Sequence, residues 1–237
     1  MKTSVSTLAL AAALALPGAA LAQDKNVKIG VLDDMSGVYA DNTGPGDVLS
    51  VKMAIADFGG TVLGKKIELV TADIQNKPDV AASIAGRWYD SENVDMIMGA
   101  GGSSSSIAIQ NVAGQKKRIF LAPDPASSDI TGKLCNPYTV QWVYDTAALA
   151  NGTGSAVVKS GGNTWFFLTA DYAFGYALQR DVAAVVTKSG GKVLGEVRHP
   201  INTQDFSSFL LQAQASKAQI IGLANAGGDT IKSIQQA

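Results

Sequence analysis

The chain contains few of the residues that form disulfide bonds in exported proteins or act in many catalytic sites. Its 237 residues include one cysteine, Cys135, and one histidine, His199. A single cysteine excludes an intramolecular disulfide, and we expect it to lie semi-buried in the turn at residues 134–137. Neither sign of charge is in excess, since 19 lysines and arginines stand against 20 acidic residues. This balance offers no basic surface for nucleic acid, so we expect no nucleic-acid partner.

Beyond the N-terminus, the sequence has no apolar run of the roughly 20 residues that crossing a bilayer requires. The N-terminus itself is different. Lys2 precedes an apolar stretch from Leu8 to Leu16, and Ala20-Leu21-Ala22 is a small-x-small cleavage pattern. This arrangement is typical of a secretory signal peptide. We therefore predict a signal peptide over residues 1–22, cleavage after Ala22 and export to the periplasm.

The sequence also lacks the usual arrangements of catalytic residues. A serine hydrolase would have to use His199, but no Gly-x-Ser-x-Gly motif is present. One histidine and one cysteine leave only scattered carboxylates for a metal, so we expect no metal site and no cofactor. Gly99, Gly101 and Gly102 resemble a dinucleotide loop, but Ser104 replaces the third glycine of that motif. We expect a protein that is not an enzyme.

What the sequence does contain is a regular alternation of short apolar runs and longer amphipathic segments. The predicted strands are 27–32, 66–72, 96–99, 119–122, 139–143, 164–169, 192–197 and 218–223, and the predicted helices are 47–58, 78–89, 105–116, 147–160, 175–189, 207–216 and 229–236. Near-continuous apolar strands separated by helices indicate parallel strands covered on both faces. The predicted fold class is α/β, with two doubly wound parallel-sheet lobes. We place the N-terminal lobe at residues 23–140, the C-terminal lobe at residues 141–237, and the crossing between them at residues 124–137.

The segment from Gly99 to Ser106 carries the strongest functional signal. It follows the apolar run Met96-Ile97-Met98 and precedes a helical pattern, so a buried strand ends in a glycine turn and leads into a serine-rich helix start. Free backbone N–H groups at a helix start, with hydroxyls beside them, form a receptor for a carboxylate or another anion. The alternative is that the serines only cap the helix.

Further candidates follow from the position of each predicted strand, because open parallel sheets bind ligands at the carboxyl ends of their strands. The residues that follow the predicted strands are Asp33, Asp34, Ser36 and Tyr39, then Gly101 to Ser106, Asp124 to Ser128, Ala170 to Phe174, and Asn225 to Asp229. We expect these segments to meet around a small molecule.

Several motifs together resemble a known family. They are Lys28-Ile-Gly-Val-Leu with Asp34-Met-Ser-Gly37, Gly64-Lys-Lys-Ile-Glu-Leu-Val, Gln75-Asn-Lys-Pro-Asp79, Phe120-Leu-Ala-Pro123, Ala170-Asp-Tyr-Ala-Phe-Gly175 and Asp205-Phe-Ser-Ser-Phe209. In order and spacing they resemble type I periplasmic binding proteins, and especially the leucine/isoleucine/valine-binding branch that supplies ABC importers. The resemblance implies two Rossmann-like lobes that close on a ligand, an ABC permease as partner and a length beyond 237 residues. The chain is then expected to lack the last strands of both lobes.

The resemblance also implies ligand-binding residues. Ser103 matches the position that grips the ligand's α-carboxylate, and Phe174 matches the position that lays an aromatic ring over the ligand. The full set of candidates is Ser103, Ser104, Ser105, Asp124, Ala126, Ser127, Tyr172, Phe174, Asn225 and Ala226. Asp124 departs from the family pattern, and its carboxylate could accept an ammonium or a hydroxyl from the ligand or cap a turn. Trp142, Tyr172 and Phe174 have core packing as their alternative role.

Three interpretations of the function stay open at this point. The first is an importer's binding protein, expected to be a monomer, that captures a branched-chain or related amino acid. The second is the same fold binding aromatic or phenolic acids or amides, because an aromatic wall suits both ligand classes. The third is a ligand sensor that presents the same closed form to a receptor. An NAD-type enzyme or a hydrolase is the weakest alternative.

Overall fold

The computed structural model describes residues 25–237, so the predicted signal peptide at residues 1–22 lies outside the described residues. The chain forms two sheets. The first has six strands in the order β2-β3-β1-β4-β5-β6, with bounds β1 (Val27–Asp33), β2 (Thr61–Val62), β3 (Lys65–Asp73), β4 (Met96–Gly99), β5 (Ile119–Ala122) and β6 (Thr139–Gln141). The second has three strands in the order β8-β7-β9, with bounds β7 (Thr164–Ala170), β8 (Lys192–His199) and β9 (Ile220–Ala224).

Helices connect these strands. They are α1 (Pro45–Asp57), α2 (Pro78–Asp90), α3 (Ser103–Lys116), α4 (Thr146–Leu149), α5 (Ser155–Lys159), α6 (Ala173–Lys188), α7 (Ser207–Ala215) and α8 (Gly228–Gln236). Every strand pair except β2–β3 is parallel. The α/β fold class is therefore confirmed. Within residues 25–237, none of the helices combines the length and the apolar character that crossing a membrane requires.

The antiparallel pair β2–β3 was not predicted. Its two-residue turn consists of Leu63 and Gly64, which both have positive φ, at 52° and 74°. Positive φ at both central residues suits a hairpin turn whose twist matches the flanking strands. A strand of two residues has no hydrophobic period, and leucine rarely takes positive φ, so the sequence carries only Gly64 as a signal.

The predicted crossing at residues 124–137 is wrong. After that segment the chain returns to the first sheet, where β6 pairs parallel to β5 and Phe120 N–H bonds Tyr138 C=O at 2.8 Å. The Gln141 side chain donates a hydrogen bond to Pro125 C=O at 2.7 Å and so holds the start of this segment next to β6. The passage to the second sheet therefore starts after Gln141. Cys135 is exposed rather than semi-buried, which corrects the second expectation for this segment.

The helix predicted at residues 147–160 is interrupted. Between α4 and α5 the backbone forms one π-helical turn, Ala150–Gly154. That turn contains Asn151 and two glycines, which are poor helix formers, and the Asn151 amide donates to Ala147 C=O at 2.8 Å. Low propensity and a competing side-chain hydrogen bond together explain the departure from regular α-helix.

Each sheet has its own core. In the first, Leu32, Trp88 and Ile109 are among the buried side chains between the sheet and helices α2 and α3. In the second, Trp165 stacks on Phe167 with ring centroids 6.1 Å apart, next to Val186 of α6. These two cores hold the carboxyl ends of both sets of strands in place.

Candidate functional site

A cavity of about 100 Å³ lies where the strand ends of the two sheets face each other. It is lined by Tyr39, Asn42, Thr43, Gly101, Ser103, Asp124, Ala126, Tyr144, Tyr172, Phe174 and Ala226. Six of these residues belong to the set predicted from sequence: Ser103, Asp124, Ala126, Tyr172, Phe174 and Ala226. Their role in ligand binding stays a prediction, but the structure brings these six to one place.

On the first sheet's side, helix α3 begins at the cavity. Gly102 precedes the helix and supplies no side-chain cap, so the N–H groups of the first turn have no partner within the helix. The Ser103 side chain is only 1% exposed, and its Oγ accepts the Ser127 N–H at 3.2 Å. Ser103 therefore ties the helix start to the loop after β5. Together with the positive end of the helix dipole, this arrangement suits an anionic group of a ligand.

The neighbouring serines do different work. Ser104 Oγ accepts the N–H of Ala173, the first residue of α6, at 3.1 Å, so it joins the two halves of the molecule. Ser105 is fully buried, and its Oγ has no hydrogen-bond partner in the part of the chain that the structure describes. Ser106 Oγ donates to Gly102 C=O at 3.1 Å. Only the first of the four serines lines the cavity.

On the second sheet's side, aromatic rings face the cavity. The ring centroids of Tyr172 and Phe174 are 5.9 Å apart, and those of Tyr39 and Tyr172 are 6.1 Å apart. The Tyr39 and Tyr172 hydroxyls are hydrogen-bonded to each other across the two halves. Burial raises the pKa of Tyr39 to about 12 and that of Tyr172 well above its usual value. Both phenols are therefore neutral near pH 7 and bond without charge.

Two more aromatic residues lie near the crossing. Tyr144 is 61% exposed and lines the cavity's outer side. Trp142 is 81% exposed, so core packing, the alternative considered for it, is wrong.

Asn42 and Thr43 line the cavity although sequence reasoning did not single them out. Their signal was their position: they lie in the loop that follows β1, at the same sheet edge as the other candidates.

Asn225 does not line the cavity. Its amide Nδ2 bonds His199 Nε2 at 3.2 Å, and its Oδ1 accepts the Thr230 hydroxyl at 2.8 Å. His199 is fully buried, with Nδ1 2.9 Å from Pro200 C=O. Phe206 packs edge-on against the imidazole, with ring centroids 4.8 Å apart. Both nitrogens of the histidine therefore serve to fix the second sheet's edge, and Asn225 holds the loop that carries Ala226.

Ser127 also has internal partners: its N–H bonds Ser103, and its Oγ accepts the Asp129 N–H at 3.3 Å. Asp129 in turn meets Arg180 of α6 at 2.9 Å, and Asp181 accepts hydroxyl hydrogen bonds from Ser128 and Thr146, each at 2.6 Å. The loop after β5 thus docks on α6. These contacts give the two halves a defined relative position around the cavity.

Three carboxyl groups gather at the first sheet's edge. Side-chain oxygens of Asp33, Asp47 and Asp124 all lie within 4.8 Å of one another. Burial is the main cause that raises the pKa of Asp33 to about 8, that of Asp47 to about 6 and that of Asp124 to about 7. The charge of a neighbouring carboxylate raises each pKa further, whereas the hydrogen bond from Asp33 to Asp47 acts to lower the pKa of Asp47 and that from Asp47 to Asp124 acts to lower the pKa of Asp124. The expectation of only scattered carboxylates is therefore wrong for these three residues, which the order of the strands brings together.

Parallel sheets that present their strand ends to one shared cavity define a two-lobed ligand-binding protein, with no nucleophile–base pair among the residues that line the cavity. Comparison with known proteins makes the class specific. The profile of the family described as "Periplasmic binding protein" matches residues 26–237, and the chain belongs to this family. The family and its fold are those of substrate-binding proteins, which are not enzymes. The resemblance found in the sequence is thereby confirmed.

Individual relatives agree with this assignment. A periplasmic binding protein from Burkholderia mallei is 58% identical with a TM-score of 0.87 over 90% of this chain and 56% of its own. The solute-binding protein of an ABC transporter from Rhodopseudomonas palustris, solved with 3,4-dihydroxybenzoic acid, is 27% identical with a TM-score of 0.73 over 85% of this chain and 54% of its own. "Leu/Ile/Val-binding protein homolog 6" of Brucella abortus is 25% identical over 81% of this chain. The chain spans about half the length of that curated relative, 49%.

Proposed function

We propose that this chain is the extracytoplasmic substrate-binding component of an ABC importer, and that it captures a small carboxylate ligand, a branched-chain or related amino acid, between its two lobes. The observation that carries the proposal is the pairing of Ser103, at an uncapped helix start, with Asp124 on the same cavity wall. The helix start suits the ligand carboxylate, and the aspartate suits an ammonium group. A ligand with both groups uses both features.

The location of Asp124 favours zwitterions over simple acids. A carboxylate ligand without an ammonium group would enter a cavity that Asp124 lines, and repulsion by the ionised form of Asp124 would weaken its binding. An ammonium group removes that penalty because it attracts the same carboxyl group. The name of the Brucella relative, a Leu/Ile/Val-binding protein homologue, points to the same ligand class.

Closure follows from contacts that require both lobes. The hydroxyl pair of Tyr39 and Tyr172 and the hydrogen bond from Ala173 to Ser104 form only when the two strand edges face each other. A ligand that contacts Ser103 and Phe174 together would add to these contacts and shift the population toward the closed form. The ABC permease is the proposed partner of that closed form, with the protein acting as a monomer in the periplasm after cleavage following Ala22.

Aromatic acids are the second candidate ligand class. The rings of Tyr172, Phe174 and Tyr144 provide the large, rigid contact area that an aromatic ligand needs. The Rhodopseudomonas relative was solved with a dihydroxybenzoate. In this alternative the ligand carboxylate would still meet the start of α3, and a ligand hydroxyl would meet Asp124.

The test is calorimetric titration of the purified chain with ligands that differ by one group. Leucine carries both charges, leucinamide lacks the carboxylate, 4-methylpentanoate lacks the ammonium, and 3,4-dihydroxybenzoate represents the aromatic acids. We expect leucine or a close amino acid to bind and both single-charge analogues to bind at least tenfold more weakly. Binding of the benzoate alone would favour the second candidate, and no binding of any carboxylate would contradict the proposal.

Asp124→Asn separates the two ligand classes further. It removes the charge that we pair with an ammonium, so an amino acid should lose affinity while an aromatic acid should lose little. Asp41→Asn is the matched control, because Asp41 is exposed in the loop after β1 and does not line the cavity. Mass spectrometry of the protein from a periplasmic extract tests the cleavage site, which we expect before Gln23.

A further inference from the structure

Three segments of the first lobe converge on one point. Asp33 is the last residue of β1, Asp47 lies in the first turn of α1, and Asp124 is the second residue after β5. One carboxylate oxygen from each lies within 4.8 Å of the other two. An acidic cluster of this kind is common on protein surfaces and does not by itself define a site.

The burial of the oxygens separates this cluster from a surface patch. Asp33 is 0% exposed, and its Oδ1 accepts the Asp34 N–H at 2.7 Å. Its other oxygen, Oδ2, is buried and receives no hydrogen bond from an N–H or hydroxyl group among residues 25–237. One oxygen of Asp47 and one of Asp124 are in the same condition within the described chain. Buried carboxyl oxygens that face only one another must share protons or a positive ion, and a divalent cation can take the place of those protons.

The backbone between these residues leaves room for such a group. Strand β4 lies between β1 and β5 and ends at Gly99. A Cβ at Gly99 would lie 2.9 Å from Asp33 Oδ2, and one at Gly101 would lie 3.1 Å from Asp33 Oδ1. Both glycines have positive φ, at 110° and 43°. The absence of side chains at these positions lets the carboxyl groups of Asp33 and Asp124 approach each other across the end of β4.

We propose that Asp33, Asp47 and Asp124 bind a divalent metal cation of the calcium type at the edge of the ligand cavity. Calcium takes six to eight oxygen ligands at about 2.3–2.6 Å, so oxygens on opposite sides of the ion are about 4.6–5.2 Å apart. One oxygen from each of the three carboxylates lies within 4.8 Å of the other two, which is close enough for all three to contact one ion. Water and cavity-facing groups would complete the shell, since Asp124 also lines the cavity.

The cation changes the electrostatics of the site whichever ligand the cavity holds. Without it, three carboxyl groups stand next to the helix start that we assign to a ligand carboxylate. With it, the charge of the cluster is largely compensated, so an anion is no longer repelled at the cavity edge and an ammonium group no longer gains the attraction of Asp124 that the proposed amino-acid ligand would use. This inference does not rest on the proposed amino-acid ligand, and its test uses the metal alone.

The experiment is calorimetric titration of the purified chain, freed of metal with a chelator, with CaCl₂, MgCl₂ or MnCl₂ in the absence of organic ligand. Thermal unfolding is measured in parallel. We expect one calcium ion per chain and a raised melting temperature. Asp47→Asn should weaken binding at least tenfold, because even losing an indirect partner of a metal ligand typically costs 10–100-fold. Asp57→Asn, at the exposed far end of the same helix, should leave binding unchanged.

Asp33→Asn provides a second variant, and circular dichroism of both variants shows whether they fold. Failure of all three metals to bind the folded wild-type chain at millimolar concentration would overturn the proposal. Equal loss of binding in Asp57→Asn would also overturn it, since the cation would then lie elsewhere. Binding of leucine that is lost in Asp47→Asn while calcium has no effect would overturn it as well, by assigning the carboxylates to the ligand's ammonium group.

Discussion

The two sheets end in different chemistry. At the edge of the first sheet, the strand ends carry carboxyl and hydroxyl groups, represented by Asp33, Asp124 and Ser103. At the edge of the second, the cavity meets the rings of Tyr172 and Phe174, and behind them the buried side chains of His199 and Asn225 are hydrogen-bonded to each other. Polar groups can fix the orientation of a ligand, while rings supply contact area. We infer that the polar edge of the first lobe selects the ligand and that the aromatic edge of the second lobe covers it.

The covering role of the second lobe can be tested by removing its aromatic rings. Phe206 is fully buried against His199, and Phe206→Ala should lower the free energy of unfolding by about 3–5 kcal/mol. Phe174 is only partly buried at the cavity, so Phe174→Ala should cost about 1 kcal/mol of stability while weakening ligand binding. Urea unfolding and calorimetry measure the two quantities. Equal loss of stability in both variants would make Phe174 a core residue and remove it from the site.

Glycines test how tightly each lobe is built. A Cβ at Gly175 would lie 2.0 Å from Ala170 C=O and 3.0 Å from Ala224 C=O, where helix α6 starts against two strand ends. Gly175→Ala should therefore destabilise the chain by about 3 kcal/mol. Gly86 in α2 has open space around it, so Gly86→Ala should stabilise by about 0.5–1 kcal/mol. Thermal unfolding compares the stability of the two variants. If Gly175→Ala were as stable as the wild-type chain, the edge of the second sheet would have to relax around the added methyl group.

Much of the fold was predictable because its strands are short apolar runs with clear ends. The predicted bounds of β4 and β5, Met96–Gly99 and Ile119–Ala122, agree with the structure at both ends. The parts of the fold that were not predicted have no periodic hydrophobic pattern in the sequence. The hairpin at Leu63 depends on one turn, and β6 joins the first sheet through pairing with β5 that no local pattern encodes. The lobe boundary at residue 140 stays a prediction.

The site was predictable only to the level of sheet edges. The rule that ligands bind at strand ends led to Ser103, Asp124 and Phe174, which share one cavity. The rule could not show that Ser104 joins the two halves through Ala173, since that contact depends on how the lobes meet. The carboxyl cluster escaped for a related reason: its members are distant in sequence, and only the strand order β1-β4-β5 brings them together.

The selecting role of the first lobe can be tested at two serines of the same helix start. Ser103 lines the cavity and accepts the Ser127 N–H, whereas the buried Ser105 hydroxyl has no partner in the described chain. Ser103→Ala should weaken binding of a carboxylate ligand by about 1–3 kcal/mol, because a charge-assisted bond and a loop contact are lost. Ser105→Ala should change affinity little. Calorimetry of both variants decides, and unchanged affinity in Ser103→Ala would move the carboxylate site elsewhere.

The smallest expected effect contrasts one aspartate from each half. Burial acts to raise the pKa of Asp73, but hydrogen bonds from Ser36, Gln75 and Met35 outweigh it and hold that pKa below its usual value. A lowered pKa means that the group stabilises the fold above its unfolded value of 3.8 and that this contribution is lost as the pH falls. In the second half, burial raises the pKa of Asp229 despite a hydrogen bond from Asn202 N–H at 3.0 Å. The protonated carboxyl of Asp229 therefore contributes to stability in full below pH 3.8, and this contribution is lost as the pH rises through the raised pKa.

The two variants should therefore respond to pH with opposite signs. Asp73→Asn should match the wild-type chain near pH 3 and fall behind it as the pH rises to 5, by less than about 1 kcal/mol because Asp73 is partly exposed. Asp229→Asn should gain on the wild-type chain as the pH rises from 4 to 7, because it removes a charge that the fold buries at cost. Urea midpoints measured across pH 3–7 give both curves. Parallel curves for the two variants would show that the halves do not differ in how they hold a carboxylate, and the contrast between a selecting and a covering lobe would then rest on the cavity side chains alone.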